Sequence, residues 1–188
     1  MQEKTAAQPI EADDVVGKVE SIVFSRLKPS ADLYHEIKRI CDENDIQAGV
    51  IMSITGALER AKLQLLSTEL SKDGHPVVVD FEGPFECSGH GIIGRFRQSN
   101  SGGIFAKDLA NSPYLHVHLT ITVGAHDGTK TVCGHLVEGC TVLSPHHVSH
   151  FTIAIAKVSG VRLELVSDKS FVTPGFAEGH RFHSLGPA

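Results

Sequence analysis

The segment from 115 to 123 alternates strictly between apolar and polar residues, which is the pattern of a β-strand with one buried face. Alternate residues of a strand point to the same side, so His116 and His118 share the polar face. A second strand-like segment covers 131–137, and a short turn around Asp127-Gly128 joins the two segments. The sequence therefore predicts an antiparallel hairpin that carries histidines on one face.

The register of this hairpin predicts a metal site. With the turn centred near Asp127, position 118 pairs with position 135. Opposite Cβ atoms are about 4.5–5.5 Å apart, and alternate residues lie roughly 6.5 Å apart along a strand. The imidazoles of His116, His118 and His135 can therefore meet one ion at about 2.0–2.1 Å each. Zinc is the first expectation, although imidazole also suits other divalent transition metals.

Cys133 leaves the coordination of this predicted site open. It lies two residues before His135 and so on the same face of the strand. As a thiolate it would close the site as a fourth protein ligand, whereas a small buried cysteine would leave the fourth position to water or substrate. An open three-histidine site lowers the pKa of metal-bound water to about 7, and a closed one is structural.

Other polar residues are candidates for the chemistry. Glu59 follows a Gly-Ala-Leu break between two predicted strands, where a carboxylate can act as a general base, and it is the catalytic candidate. A solvated turn residue is the alternative interpretation of Glu59, and Glu138 has the same two interpretations. His90 stands between two glycines as a candidate neighbour of the ligands, and His183 is expected at the surface of the tail.

Composition limits the class of protein. The 188 residues are 41% hydrophobic and 21% charged, which suits one globular domain with its own core. The formal net charge of −5 disfavours nucleic acid as a partner held by charge neutralisation. Four cysteines without CxxC spacing, no apolar segment at the start and no apolar run of membrane length predict a reduced cytoplasmic protein without membrane contact.

The predicted organisation is a flexible N-terminal arm at 1–16, a domain at 17–168 and a C-terminal tail at 169–188. One helix is indicated, with Ser30 as its N-cap, helical apolar spacing and an end at Asn44. Most of the remaining sequence has the patterns of strands and turns. The predicted fold class is α+β, with a largely antiparallel sheet of about seven strands flanked by this one main helix.

Several motifs, in order along the chain, resemble one known family. They are Arg26-Leu27 with Pro29 and Asp32-Leu33, Ile54-Thr55-Gly56-Ala57-Leu58-Glu59-Arg60, Gly83-Pro84-Phe85-Glu86, His116-Val117-His118-Leu119 and Gly134-His135-Leu136-Val137-Glu138-Gly139. The family is the plants-and-prokaryotes conserved (PPC) domain, also described as PD1-like DNA-binding. The resemblance implies a homotrimer and a metal, usually zinc, on His116, His118 and His135.

Plant members of this family carry AT-hook segments that bind the DNA minor groove. This sequence contains no Arg-Gly-Arg-Pro hook, so it is more similar to the stand-alone prokaryotic members. Three functions remain open: an open metal site that binds or converts a small polar, anionic molecule, a DNA-associated trimer, and a purely structural metal trimer.

Overall fold

Long paired strands dominate the computed structural model of the chain, which describes residues 14–66, 76–98, 111–124, 128–143, 150–168 and 181–188. Within these ranges there are nine strands and one helix. They are β1 (Lys18–Arg26), α1 (Leu33–Glu43), β2 (Gly49–Leu65), β3 (Val77–Gln98), β4 (Pro113–Val123), β5 (Lys130–Leu136), β6 (Thr141–Val142), β7 (Thr152–Ser159), β8 (Val161–Ser167) and β9 (Arg181–Pro187).

Four strands close into a hydrogen-bonded ring. Strands β2 and β3 pair antiparallel from Gly49↔Ile93 to Leu65↔Val77. Strand β4 pairs with the C-terminal half of β3, β5 pairs with β4, and β5 returns to β2 through Leu63↔Leu136. The ring encloses apolar side chains that are almost inaccessible to solvent, among them those of Leu58, Leu63, Leu119 and Ile121. This core fixes the direction of the polar side chains on β4 and β5, which must point outwards.

The remaining strands extend the ring on two sides. Strand β7 pairs with the start of β2, and β1 pairs with β7 at the edge. On the other side β8 pairs in parallel with the end of β3, and β9 pairs antiparallel with β8. The α+β prediction is therefore confirmed, with nine strands in the described residues instead of about seven. Strand β9 lies in the predicted tail at 169–188, where the sequence pattern gives no strand signal.

Two predicted strand breaks lie inside continuous strands. The sequence suggests interruptions at Gly56-Ala57 and at Gly83-Pro84, but β2 and β3 continue through both. The register of β2 against β3 shifts between Leu58 and Arg60, so the bulge around Glu59 lies opposite Gly83-Pro84. A Cβ at Gly83 would lie 2.6 Å from the backbone oxygen of Glu59, so glycine permits the close approach of the two strands.

Helix α1 packs its apolar stripe on the sheet and ends as predicted. Leu33, Ile37, Ile40 and Cys41 are buried at helical spacing, and Asn44 is the C-cap. The predicted N-cap is wrong, because Asp32 and not Ser30 caps the helix. Ser30 instead takes a left-handed conformation in the preceding turn, with φ of 59°.

Asp32 joins the start of the helix to the segment that follows β5. One carboxylate oxygen accepts from the backbone N–H of His35 at 3.1 Å, and the other accepts from the N–H of Gly139 at 2.7 Å. The N–H of Leu33 also donates to the carbonyl of Cys140 at 2.8 Å. Because β5 carries His135, these bonds tie the helix to the strand that presents a predicted ligand.

No helix in the described part of the chain has the length and apolarity needed to cross a membrane.

Replacing Asp32 tests this connection. We expect Asp32→Ala to lower the free energy of unfolding by about 2–3 kcal/mol, because it removes a helix cap and a charged acceptor. Asp32→Asn keeps one acceptor oxygen and should lose about half as much. Urea denaturation followed by circular dichroism measures both changes. Asp14→Asn, at an exposed position near the start of the described residues, is the control for lost charge. Equal stability of Asp32→Ala and wild type would contradict the assignment.

Candidate metal centre

The β4–β5 pairing brings three histidines together on the outer face of the closed ring of strands. His118 lies directly opposite His135, as the sequence predicts, and their ring centroids are 4.1 Å apart. The ring of His116 lies 5.0 Å from that of His135 and 5.5 Å from that of His118. One nitrogen from each ring can be chosen so that all three lie within 4.8 Å of one another.

Glycines allow the strands beneath the histidines to approach closely. Gly134 precedes His135, so a side chain at Gly134 would point to the opposite face, towards β2. A Cβ on Gly134 would lie 2.5 Å from Cδ2 of Leu65. Gly91 in β3 pairs with Val117, and a Cβ there would lie 2.4 Å from the carbonyl oxygen of His116. Side chains at these two positions would push β5 or β4 outwards and so displace the histidines.

The environment of the cluster favours neutral imidazoles. Burial and the neighbouring histidines, His183 and His118, lower the pKa of His116. Burial lowers the pKa of His135 too, and His118, His116 and His183 add to the effect. A metal binds the neutral form of imidazole, and the lowered pKa values of His116 and His135 favour that form.

The three side chains fit a transition metal. Ligand nitrogens of a tetrahedral zinc site are about 3.4 Å apart when the bonds are about 2.0–2.1 Å long. The separations here are at most 4.8 Å, so small rotations of the rings are sufficient to reach that geometry. Three imidazoles without a carboxylate suit zinc and other first-row divalent metals better than they suit magnesium or calcium.

Cys133 stands beside the cluster and outside it. Its side chain is exposed, and its Sγ lies 4.0 Å from Nδ1 of His118, a contact at the outer limit for a sulfur hydrogen bond. Among the described residues, the group of ligand atoms within 4.8 Å of one another consists of the three histidines.

His183, which the sequence predicts only as a surface residue of the tail, lies beside the site. This residue lies on β9, and its Nε2 is 2.8 Å from the hydroxyl of Tyr114. Its ring centroid is 5.4 Å from those of Tyr114 and His116. Tyr114 shares the outer face of β4 with His116, but the tail around His183 lacks an apolar alternation that would have predicted a strand.

A cleft of about 430 Å³ opens beside His116, His135 and His183. Its other polar lining residues are Tyr34 of α1, Gln64 of β2 and Tyr114 of β4. Its apolar lining residues are Phe96, Leu115, Leu136, Val137 and Leu165. The volume is in the range of small-molecule sites.

The other candidate residues differ in their positions relative to the three histidines and the cleft. Glu59 is exposed at the bulge of β2, five residues before Gln64 and so roughly 16 Å along the strand from the part that borders the cleft. Its catalytic role stays a prediction. Glu138 is exposed and accepts from Nε2 of His35 at 3.0 Å, which lowers its pKa. His90 pairs with His118 across β3 and β4, so it lies beside the ligands on the same face.

The lowered pKa values predict how the metal-free protein responds to acid. Unfolded histidines keep ordinary pKa values, so below about pH 6.5 the unfolded chain takes up protons that folded His116 and His135 resist. Stability should therefore be greatest above that pH and fall towards pH 5. Urea denaturation in the presence of a chelator measures this slope, which His135→Gln should reduce and His150→Gln, at an exposed position, should not. A stability that rises towards pH 5 would contradict this account.

Comparison with solved structures supports the fold. A metal-containing protein from Archaeoglobus fulgidus superposes with a TM-score of 0.62 at 20% identity, covering 91% of this chain and 98% of that one. A plant- and prokaryote-conserved protein from Pyrococcus horikoshii gives 0.60 at 20% identity, with coverages of 91% and 99%. A candidate DNA-binding protein from Bacteroides thetaiotaomicron gives 0.58 at 14% identity, with coverages of 89% and 94%. At these identities the likeness concerns the fold alone.

A search of curated proteins finds no match to the chain. The model of the Plants and Prokaryotes Conserved (PCC) domain matches residues 15–153, which include all of the three-histidine cluster. This match covers well over half of the sequence and agrees with the order of the motifs noted above. The chain therefore belongs to the Plants and Prokaryotes Conserved domain family.

Proposed function

We propose that His116, His118 and His135 hold one divalent transition metal, with zinc as the first expectation, and that this centre binds or converts a small polar molecule. The observation that carries the proposal is the convergence of three imidazoles whose ligand atoms lie within 4.8 Å of one another. A metal bound there would act as a Lewis acid and lower the pKa of a bound water. The cleft beside His116 and His135 offers a route for the ligand.

The position of Cys133 supports an open coordination sphere. A closed structural site needs a fourth protein ligand at bonding distance, about 2.3 Å from zinc for a thiolate. Cys133 is exposed, and its Sγ is not among the ligand atoms that lie within 4.8 Å of one another. These facts favour water or substrate as the fourth ligand.

A homotrimer is the second part of the proposal, and an exposed apolar surface supports it. Strand pairing places Ile22, Ala156, Val50 and Ile92 side by side across β1, β7, β2 and β3, in a line that continues to His116. Ile22, Val50 and Ile92 are exposed, with fractions of 44%, 40% and 36%, and the small Ala156 between them is buried. We call this line the outer apolar row. Phe24 and Met52, with exposed fractions of 73% and 55%, lie beside it. Exposed apolar surface of this extent is typical of protein interfaces.

DNA association is the alternative function. It derives from the family name and from neighbours such as the Bacteroides thetaiotaomicron protein described as a candidate for DNA binding. The net charge of −5 argues against binding by neutralisation of phosphates. A mobility shift of duplex DNA by micromolar protein at about 0.15 M salt would favour this alternative, and it should not occur if the metal-site proposal describes the main function.

Metal analysis tests the three-histidine site. We expect one zinc per chain after purification without added chelator, measured by elemental analysis. His118→Ala should lower zinc affinity more than about 100-fold, because it removes a direct ligand. Loss of a residue that only hydrogen-bonds to a ligand lowers metal affinity by up to about 100-fold. Circular dichroism would verify that the variant still folds.

Two matched variants complete the metal experiment. Cys133→Ser should keep zinc affinity within about twofold of wild type if the sphere is open, whereas a large loss would favour a closed structural site. His150→Ala removes an exposed histidine outside the cluster and should have no effect. Zinc binding that is unchanged in His118→Ala would contradict the proposed ligand set.

Light scattering coupled to gel filtration tests the trimer. We expect three times the 20.2 kDa mass of one chain. Phe24→Ser should shift the mass towards that of one chain, because it removes a large exposed apolar side chain beside the outer apolar row. Leu66→Ser is the control, since Leu66 is 78% exposed at the end of β2, away from that row. A monomeric wild-type protein would exclude the proposed assembly.

A further inference from the structure

The polar lining of the cleft carries no fixed charge. Its polar side chains are those of Tyr34, Gln64, Tyr114, His116, His135 and His183, and none of the lining residues is Asp, Glu, Lys or Arg. A divalent metal on the histidines would therefore leave the part of the cleft next to His116 and His135 with an uncompensated positive charge. The ligand that best balances such a charge is an anion, since no carboxylate of the cleft is present to do so.

One wall of the cleft is apolar. It is formed by Phe96 at the end of β3, which is half-buried, and by Leu136 at the end of β5 and Leu165 in β8, of which 4% and 9% are exposed. Phe96 packs edge to face against Tyr114, with ring centroids 5.3 Å apart, so the apolar wall begins next to the polar end. A small ion without an apolar body would leave the exposed part of this wall, mainly Phe96, in contact with water. A ligand with an apolar body would cover that part and gain the free energy of burial.

We propose that the cleft binds a small amphipathic carboxylate, whose anionic head lies at the histidine end and whose apolar body lies against Phe96, Leu136 and Leu165. This inference rests on the proposed function, because the positive charge comes from the metal. It adds the chemical class of the ligand and a residue that selects for it. The volume of about 430 Å³ accommodates a chain of several carbons.

His183 is the residue that selects for the anionic head. It lines the cleft, and its ring centroid is 5.4 Å from that of the ligand His116. The hydroxyl of Tyr114 lies 2.8 Å from Nε2 of His183. When that hydroxyl donates to Nε2, the proton of the neutral ring resides on Nδ1, which is then a hydrogen-bond donor for a carboxylate oxygen. Tyr114 is accordingly a positioning residue that sets the tautomer of His183.

Cobalt-substituted protein provides the test. Co²⁺ replaces zinc in such sites and gives visible absorption bands that respond to ligands. We expect sodium octanoate to change these bands saturably and to bind at least about tenfold more tightly than acetate, because each buried CH₂ contributes roughly fourfold. 1-Octanol has the same chain without the charge and should leave the bands unchanged. Equal binding of octanoate and acetate, or an equal response to 1-octanol, would overturn the inference.

Variants assign the role of His183. His183→Phe keeps an aromatic ring without nitrogens and should weaken octanoate binding about tenfold, while cobalt affinity stays within twofold of wild type. Tyr114→Phe should weaken it less and in the same direction. The control is His150→Phe, which alters an exposed histidine outside the cleft and should change neither affinity. Unchanged octanoate affinity in His183→Phe would exclude the selecting role.

The two levels of the proposal fail in different ways. If wild-type protein and His118→Ala bind cobalt equally well, or neither binds it, the ligand set is wrong and the inference falls with it. If cobalt binding depends on His118 but octanoate leaves the bands unchanged, the metal site stands and the amphipathic carboxylate is excluded.

Discussion

The antiparallel register of β4 and β5 is the constraint on which the site depends. It places His118 opposite His135 and puts His116 one strand repeat away on the same face. A shift of one residue would turn the histidines of one strand into the core and bring leucine and valine to the surface. The buried faces of both strands therefore hold the register, and the packing of side chains such as Leu119 and Leu136 fixes the positions of the three histidines.

The ring of strands gives this register its rigidity. Because β5 pairs with both β4 and β2, it is held on both sides at His135, and Leu136 adds a second pair with β2. The bond from Gly139 to Asp32 then holds the chain where it leaves β5. A binding site made of side chains on paired strands of this kind is preorganised, so little side-chain order has to be created when a metal binds.

The outer face of the sheet connects the site to the proposed assembly. The outer apolar row runs across four strands and ends at His116, and the same histidine lines the cleft. The cluster therefore borders both an exposed apolar surface and a partly polar cavity. In a trimer that buried the row, the histidines would lie near the boundary between subunits, and the cleft beside His183 would be the approach for a ligand.

The sequence was most informative where one face is buried. Burial of one face imposes a period of two, so the alternation in 115–123 predicted that strand. The turn around Asp127-Gly128 and the strand-like segment 131–137 then predicted its partner and the pairing of His118 with His135. The sequence was least informative where contacts between distant segments determine the local structure. Asp32 caps α1 while also accepting from Gly139, which is distant in sequence. His183 lies beside the site because β9 pairs with β8, and the local sequence does not predict that pairing.

X-ray absorption at the zinc edge, on protein loaded with one zinc per chain, tests the central claim most directly, because it counts and identifies the atoms bound to the metal. The account predicts three imidazole nitrogens and one further light atom at about 2.0–2.1 Å, with no sulfur. A sulfur at about 2.3 Å would place Cys133 in the sphere, and a spectrum with fewer than three imidazoles would contradict the three-histidine centre.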